Sequence, residues 1–141
     1  YWDVGENLIY MQWSRSGSSS VDYLLRMGRA AMQADDFQTA YGHLTALTAH
    51  APEFAEGWNA RATLLFRMGR YGPSIADIQR TLALEPRHFG ALTGLGIMLE
   101  EMQEYDSALA AFRAAHAIHP HRPDIEEAIG RIEQVLEGRT L

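Results

Sequence analysis

Residues 55–96 read AEGWNARATLLFRMGRYGPSIADIQRTLALEPRHFGALTGLG. The stretch holds one complete unit, Ala55 to His88, and the opening of the next at Phe89. Its proline, Pro86, stands 34 residues after Pro52 and 34 before Pro120. A fixed period of about 34 residues is the mark of a helix–turn–helix array. In such arrays the core forms between neighbouring units, so added length adds units rather than thickness.

Aligned backwards from the prolines, the units begin at Val21, Ala55 and Phe89. The eighth position then reads Gly28, Ala62 and Gly96, and the twentieth Ala40, Ser74 and Ala108. The seventeenth reads Phe37, Tyr71 and Tyr105, and the twenty-fourth Leu44, Ile78 and Phe112. Small residues recur where two helices must touch, and large ones recur where a helix must fill the space beside them. The pattern predicts first (A) helices near 21–34, 55–68 and 89–102, and second (B) helices near 37–50, 71–84 and 105–118. Pro73 falls in the first turn of its helix, where a missing N–H costs little. Gly69-Arg70 and Gln103-Glu104 read as the turns inside the units.

These positions resemble the tetratricopeptide repeat, whose pattern runs W-x2-L-G-x2-Y, then A-x3-F, then P. Trp58 at the fourth position and Leu95-Gly96 at the seventh and eighth match it best. The resemblance covers Val21 to Arg122, with departures at Arg61, where leucine is usual, and at Pro73. It implies an all-α fold, a right-handed superhelical α-solenoid of three repeats at 21–54, 55–88 and 89–122. It also implies a concave groove lined by A helices. The family's groove positions map onto Asp22, Leu25, Arg29, Met32 and Gln33, then Glu56, Asn59, Thr63, Phe66 and Arg67. In the third repeat they map onto Gly90, Thr93, Ile97, Glu100 and Glu101, and the terminal helix adds Glu127 and Arg131. Arg29, Met32, Gln33, Asn59, Thr63, Phe66, Arg67, Glu100 and Glu101 are therefore the expected partner-binding residues. Arg29, Asn59 and Arg67 suit a peptide carboxylate or backbone, and Phe66 and Met32 an apolar side chain. The competing reading is a set of solvated helix faces. Chaperone-adaptor members carry a two-carboxylate clamp, but its positions here hold Leu25, Arg29, Ala60, Thr93 and Ile97. The resemblance thus implies no grip on chaperone C-terminal tails.

After Pro123, Ile125, Ile129, Ile132 and Leu136 recur at four, three and four, one apolar stripe on a helix. Glu126, Glu127, Glu133 and Glu137 occupy the other face. A terminal cap looks like this, so residues 123–138 are expected to be a capping helix stopped at Gly138, followed by a tail at 139–141. Residues 1–20 are less regular. Ser16–Ser20 reads as a turn or flexible link, and Ser19 with Asp22 as a cap for the first A helix. Trp2, Leu8, Ile9 and Trp13 read either as a cap on the first repeat or as an arm for self-association.

The chain has 141 residues, a formal net charge of −6 and no cysteine. The acidic balance opposes a nucleic-acid partner, and no stretch approaches the roughly 18 apolar residues of a membrane span. Disulfides and thiolate metal sites are excluded. All twelve basic residues are arginine, read either as GC-rich coding or as guanidinium forks on carboxylates. His116 and His119 are spaced as metal ligands can be. A helix C-terminus also favours imidazolium, and histidines recur near other helix ends, so no metal is assigned. No cofactor is assigned either. No H-E-x-x-H, G-x-S-x-G or phosphate-binding loop is present, and nothing assembles a nucleophile with a base, so no enzyme activity is expected.

The expected work is protein–protein interaction: holding a partner's peptide or helix in the groove. The quoted stretch is similar to small bacterial repeat proteins of the cell envelope. That similarity implies a bacterial source, a periplasmic location and a role in envelope maintenance or assembly; a cytoplasmic location is the alternative. The start at Tyr1 suggests that something upstream was removed, a signal peptide or a longer chain. The alternative function is self-assembly, a homodimer through residues 1–20. Reversing Arg29 and Arg67 to glutamate is expected to weaken partner binding without changing thermal melting.

Overall fold

The computed structural model describes residues 18–140. Among them are seven α-helices and no strand: α1 Ser19–Gln33, α2 Phe37–His50, α3 Ala55–Arg67, α4 Tyr71–Leu84, α5 Phe89–Glu101, α6 Tyr105–Ile118 and α7 Pro123–Thr140. The chain divides into two compact units, one ending at Leu84 and one beginning at Glu85. Helices α1 to α4 belong to the first, and α5 to α7 to the second. No helix among the described residues is long and apolar enough to cross a membrane.

In each pair the small residue at position eight lies under the large one at position twenty-four. A Cβ added to Gly28 would stand 2.5 Å from Leu44 Cδ2 and 2.7 Å from its Cγ. One added to Gly96 would stand 2.9 Å from three atoms of the Phe112 ring. Ala62 and Ile78, the corresponding residues of the middle pair, are both buried. Position twenty is fully enclosed throughout, at Ala40, Ser74 and Ala108. Ser74 brings a hydroxyl into that apolar slot and donates it to the Ala62 carbonyl at 2.6 Å. A buried polar group needs such a partner.

The turns inside the pairs repeat one geometry. Asp35, Gly69 and Gln103 all have positive φ, at 61°, 76° and 63°. The following amides, Asp36, Arg70 and Glu104, donate back to Ala31, Leu65 and Leu99. That is the helix-ending motif in which one left-handed residue closes the last turn. Glycine adopts this backbone freely, whereas other residues lose about 1–2 kcal/mol in it. Gln103→Gly is therefore expected to raise stability by about 0.5–1 kcal/mol, the strain relieved less glycine's greater unfolded freedom. Chemical denaturation reads this directly, and a lowered midpoint would refute it.

Two expectations at helix ends need correction. Helix α1 starts at Ser19, and its cap is Ser18, whose hydroxyl accepts from the Val21 amide at 3.4 Å. Ser19 is the first helical residue instead. Gly138 does not stop α7, which continues to Thr140. The stripe of α7 does turn inward: Ile125 and Ile132 are buried, Ile129 and Leu136 half-buried, while Glu126, Glu127, Glu133 and Glu137 are exposed. Proline does not disturb α4, because Pro73 is its third residue.

Candidate partner-binding faces

In unit one, helices α1 and α3 lie side by side, and ion pairs at the two ends of α3 join it to the C-terminal part of α1 and the turn that follows. Arg29 donates to Glu56 Oε1 at 2.6 Å, and Asn59 donates to the same oxygen at 3.3 Å. Glu56, expected on the groove surface, is only 3% exposed. Burial of a carboxylate is tolerated only where donors meet it, and α1 and the next turn of α3 supply them. At the far end Arg67 donates to Asp35 Oδ1 at 2.7 Å and to the Met32 carbonyl at 3.0 Å. Its guanidinium also lies 5.0 Å above the Phe37 ring.

Burial and these contacts change the assignment of four residues. Met32 is buried in the core with Leu25, Leu44 and Leu64, so its side chain offers nothing to a partner. Leu25 is buried with it. Arg29 and Arg67 are parts of the α1–α3 seam rather than spare cations. Reversing them would set glutamates against Glu56 and Asp35, so thermal melting would fall with any loss of binding. What unit one leaves on this face is mostly uncharged: Gln33 and Thr63 are exposed, and Asn59 and Phe66 half-buried. Thr63 turns its hydroxyl to the Asn59 carbonyl at 3.1 Å. The Phe66 ring tilts against Tyr71, 5.4 Å between centroids.

Arg61 stands where leucine is usual, and its role is clear in space. Its Nε and Nη2 donate to the two carboxylate oxygens of Asp77 at 2.7 and 2.9 Å. Side-chain exposure is 17% for Arg61 and 6% for Asp77. Hydrogen bonding to Asp77 is the main reason the Arg61 pKa is raised further above its ordinary value; burial works against it. Two guanidiniums lie over the Trp58 ring, Arg61 at 5.2 Å and Arg80 at 5.0 Å. Its indole N–H donates to the Pro52 carbonyl at 2.8 Å.

In unit two, α7 lies beside α5 and is tied to it by a fork. Arg131 Nε and Nη2 donate to Glu100 Oε2 and Oε1 at 2.6 and 2.8 Å. Hydrogen bonding to Arg131 holds the Glu100 carboxyl below its ordinary range. The Arg131 guanidinium is raised by Glu100 foremost and, to a smaller degree, by the Glu127 charge. Arg61 and Arg131, and at longer range Arg122 on Asp124, thus use the guanidinium fork that lysine lacks. Glu101 is exposed, and so is Ile97, at 36%, one turn earlier on α5. Two of the histidines pack into the helix junctions. His88 caps α5 by accepting the Ala91 amide at Nδ1, 3.1 Å away, and is fully buried. His119 meets the Phe89 ring edge-on at 4.6 Å. Trp2, Leu8, Ile9 and Trp13, assigned to self-association, lie outside the described residues.

Comparison with known proteins agrees with this geometry. The tetratricopeptide repeat profile matches residues 25–72 and 59–123. A TPR repeat-containing protein of Rhizobium etli is 34% identical over 132 residues, covering 94% of this chain and 65% of that protein. Superkiller complex protein 3 of Mus musculus is 26% identical over 125 residues, and the match occupies 8% of its length. The chain therefore spans less than two thirds of these relatives. Among solved structures, the first TPR of Spaghetti (RPAP3) bound to the HSP90 peptide SRMEEVD superposes with a TM-score of 0.81. It is 18% identical, with 85% of this chain and 95% of that one covered. A MamA crystal structure gives a TM-score of 0.78 at 23% identity, covering 83% of this chain and 68% of that one.

Proposed function

The chain belongs to the tetratricopeptide repeat family, and we propose that it is a non-catalytic scaffold holding a peptide or helix of a partner protein against its A-helix faces. The division into repeats at 21–54, 55–88 and 89–122 is part of this reading. The observation that carries it is the state of those faces. Each carries exposed side chains: Gln33 and Thr63 in unit one, Ile97 and Glu101 in unit two. Ile97, 36% exposed, adds an apolar side chain to that surface. The related RPAP3 domain binds an HSP90 peptide in its solved complex, which supports peptide holding as the mode. It does not extend to the same ligand here, because Leu25 and Ala60, at clamp positions, are buried and apolar. The bacterial relative and the similarity to envelope repeat proteins support a place in bacterial envelope assembly or maintenance.

The test is affinity capture from native cell fractions with wild type beside Thr63→Arg and Ile97→Arg. Neither residue takes part in the α1–α3 or α5–α7 ion pairs. A partner recovered by wild type and lost from either variant, with melting unchanged, is the expected result. A partner retained equally by both variants would remove the A-helix faces from the reading. Recovery of this chain alone would replace the scaffold with self-assembly.

A further inference from the structure

We infer that the outer face of α1 is a docking surface for the chain's own residues 8–17, which close it in cis as a preceding B helix closes an A helix in the later repeats. Tyr23, Met27, Ala30 and Ala34 follow one another at four, three and four, one stripe of a helix. They hold positions three, seven, ten and fourteen of the first repeat. In α3 these positions are Gly57, Arg61, Leu64 and Met68, and they meet the preceding helix α2. A Cβ added to Gly57 would stand 3.1 Å from Leu47 Cγ, and Arg61 Nη1 donates to Thr45 Oγ1 at 3.4 Å. In α7, counted on from Phe89 by one period, they are Ile125, Ile129, Ile132 and Leu136, the stripe that turns inward. The stripe of α1 is equally free of charge. Yet Tyr23 is 43% exposed, Ala30 and Ala34 are exposed, and only Met27 is half-buried. This is the side on which such an array takes its preceding neighbour.

The period identifies the occupant. Thirty-four residues before Leu44 and Leu47 stand Tyr10 and Trp13. Those positions hold Ile78 and Thr81 in the second repeat and Phe112 and Ala115 in the third, and all six of these residues are at most 2% exposed. Leu47 meets position three of the next A helix, so Trp13 falls opposite Tyr23. The sizes are complementary. Helix α1 has Ala30 and Ala34 where α7 has Ile132 and Leu136, and its slighter stripe leaves room for a tyrosine and a tryptophan. Residues 14–18 alone join Trp13 to α1, and so short a tether gives the segment a high effective concentration at that face. Asp3 and Glu6 stand where the repeats carry an aromatic and a small residue, which confines the match to residues 8–17. Closure in cis withholds the face from any partner and from a second copy.

The test is a double-mutant cycle on the whole chain, read by thermal melting and by sedimentation over a range of concentrations. Arginine is nearly as good a helix former as alanine, so Ala30→Arg on a solvated face would leave melting where it is. Closure predicts instead that Ala30→Arg and Trp13→Ala each lower the midpoint by about 3 °C or more. The two together should lower it little further than the stronger single change, as residues in contact do. The chain should sediment as a monomer throughout. An unchanged midpoint for Ala30→Arg would overturn the inference, and so would additive losses. Coupled losses in a dimer, fading on dilution, would give the face to the segment of a second copy by exchange and overturn closure in cis. A captured partner lost through Ala30→Arg with melting unchanged would overturn it too, while leaving the scaffold reading in place.

Discussion

Arg61→Leu is expected to lose about 3 kcal/mol of folding stability, although leucine is the residue this repeat position ordinarily holds. Removing one partner of a buried ion pair costs about 3–5 kcal/mol, because the other charge is left without compensation. The low end applies because Arg61 retains 17% exposure. Asp77 has no such outlet: it is enclosed, and both its oxygens accept from Arg61. Trp58 would also lose one of its two cationic neighbours. The decisive measurement is a double-mutant cycle by urea denaturation. Arg61→Leu with Asp77→Leu should recover most of the loss, since an apolar pair of similar volume often equals or exceeds a buried ion pair. Equal stabilities for wild type and Arg61→Leu would show that the pair contributes nothing. A double variant as weak as the single would show that shape, not charge, is what the site requires.

Leu44→Ala should cost about 2–5 kcal/mol, the loss of a fully buried leucine plus the cavity left behind. Leu44 is 0% exposed and lies directly over Gly28. That contact makes a second measurement informative. Gly28→Ala alone should be destabilising by about 1–2 kcal/mol, overpacking offset in part by better helix propensity. In the Leu44→Ala background the new methyl enters vacated space, so Gly28→Ala should become neutral or stabilising. Additive effects of the two changes would contradict the packing of position eight under position twenty-four.

The period of the prolines and the small-to-large alternation made the helix pairs legible, because both reflect contacts repeated in every pair. All six helices from α1 to α6 lie within two residues of the expected spans at each end. The ends that departed are set by local rivalry. Three serines in a row, Ser18 to Ser20, offer several caps, and a glycine near a chain end can simply extend a helix. Burial of Met32 was also legible: Val21, Leu25, Gly28 and Met32 follow at four, three and four, the spacing that identified α7. A groove assignment taken from the family hid it. The ion pairs were not legible. Arg29 meets Glu56, Arg67 meets Asp35 and Arg131 meets Glu100 across 27 to 32 residues of chain. Nothing in a charged residue's neighbourhood in sequence names a partner that far away. Arg61 was the exception in kind. Its departure from pattern was visible, and its buried partner Asp77 lies in the following helix.

The seams also bear on how such a chain could grow by duplication. Arg61 and Asp77 lie inside residues 55–88, so a tandem copy of that segment would carry the pair along intact. Glu56 and Arg67 would not be so fortunate. Their partners, Arg29 and Asp35, belong to the preceding segment, where residues 55–88 have Thr63 and Gly69 at the same places. A duplicated copy would inherit a buried carboxylate facing a threonine and an arginine facing a glycine. Residues 55–88 are thus fitted to the neighbour they have, and the order of segments in this chain is written into its charges.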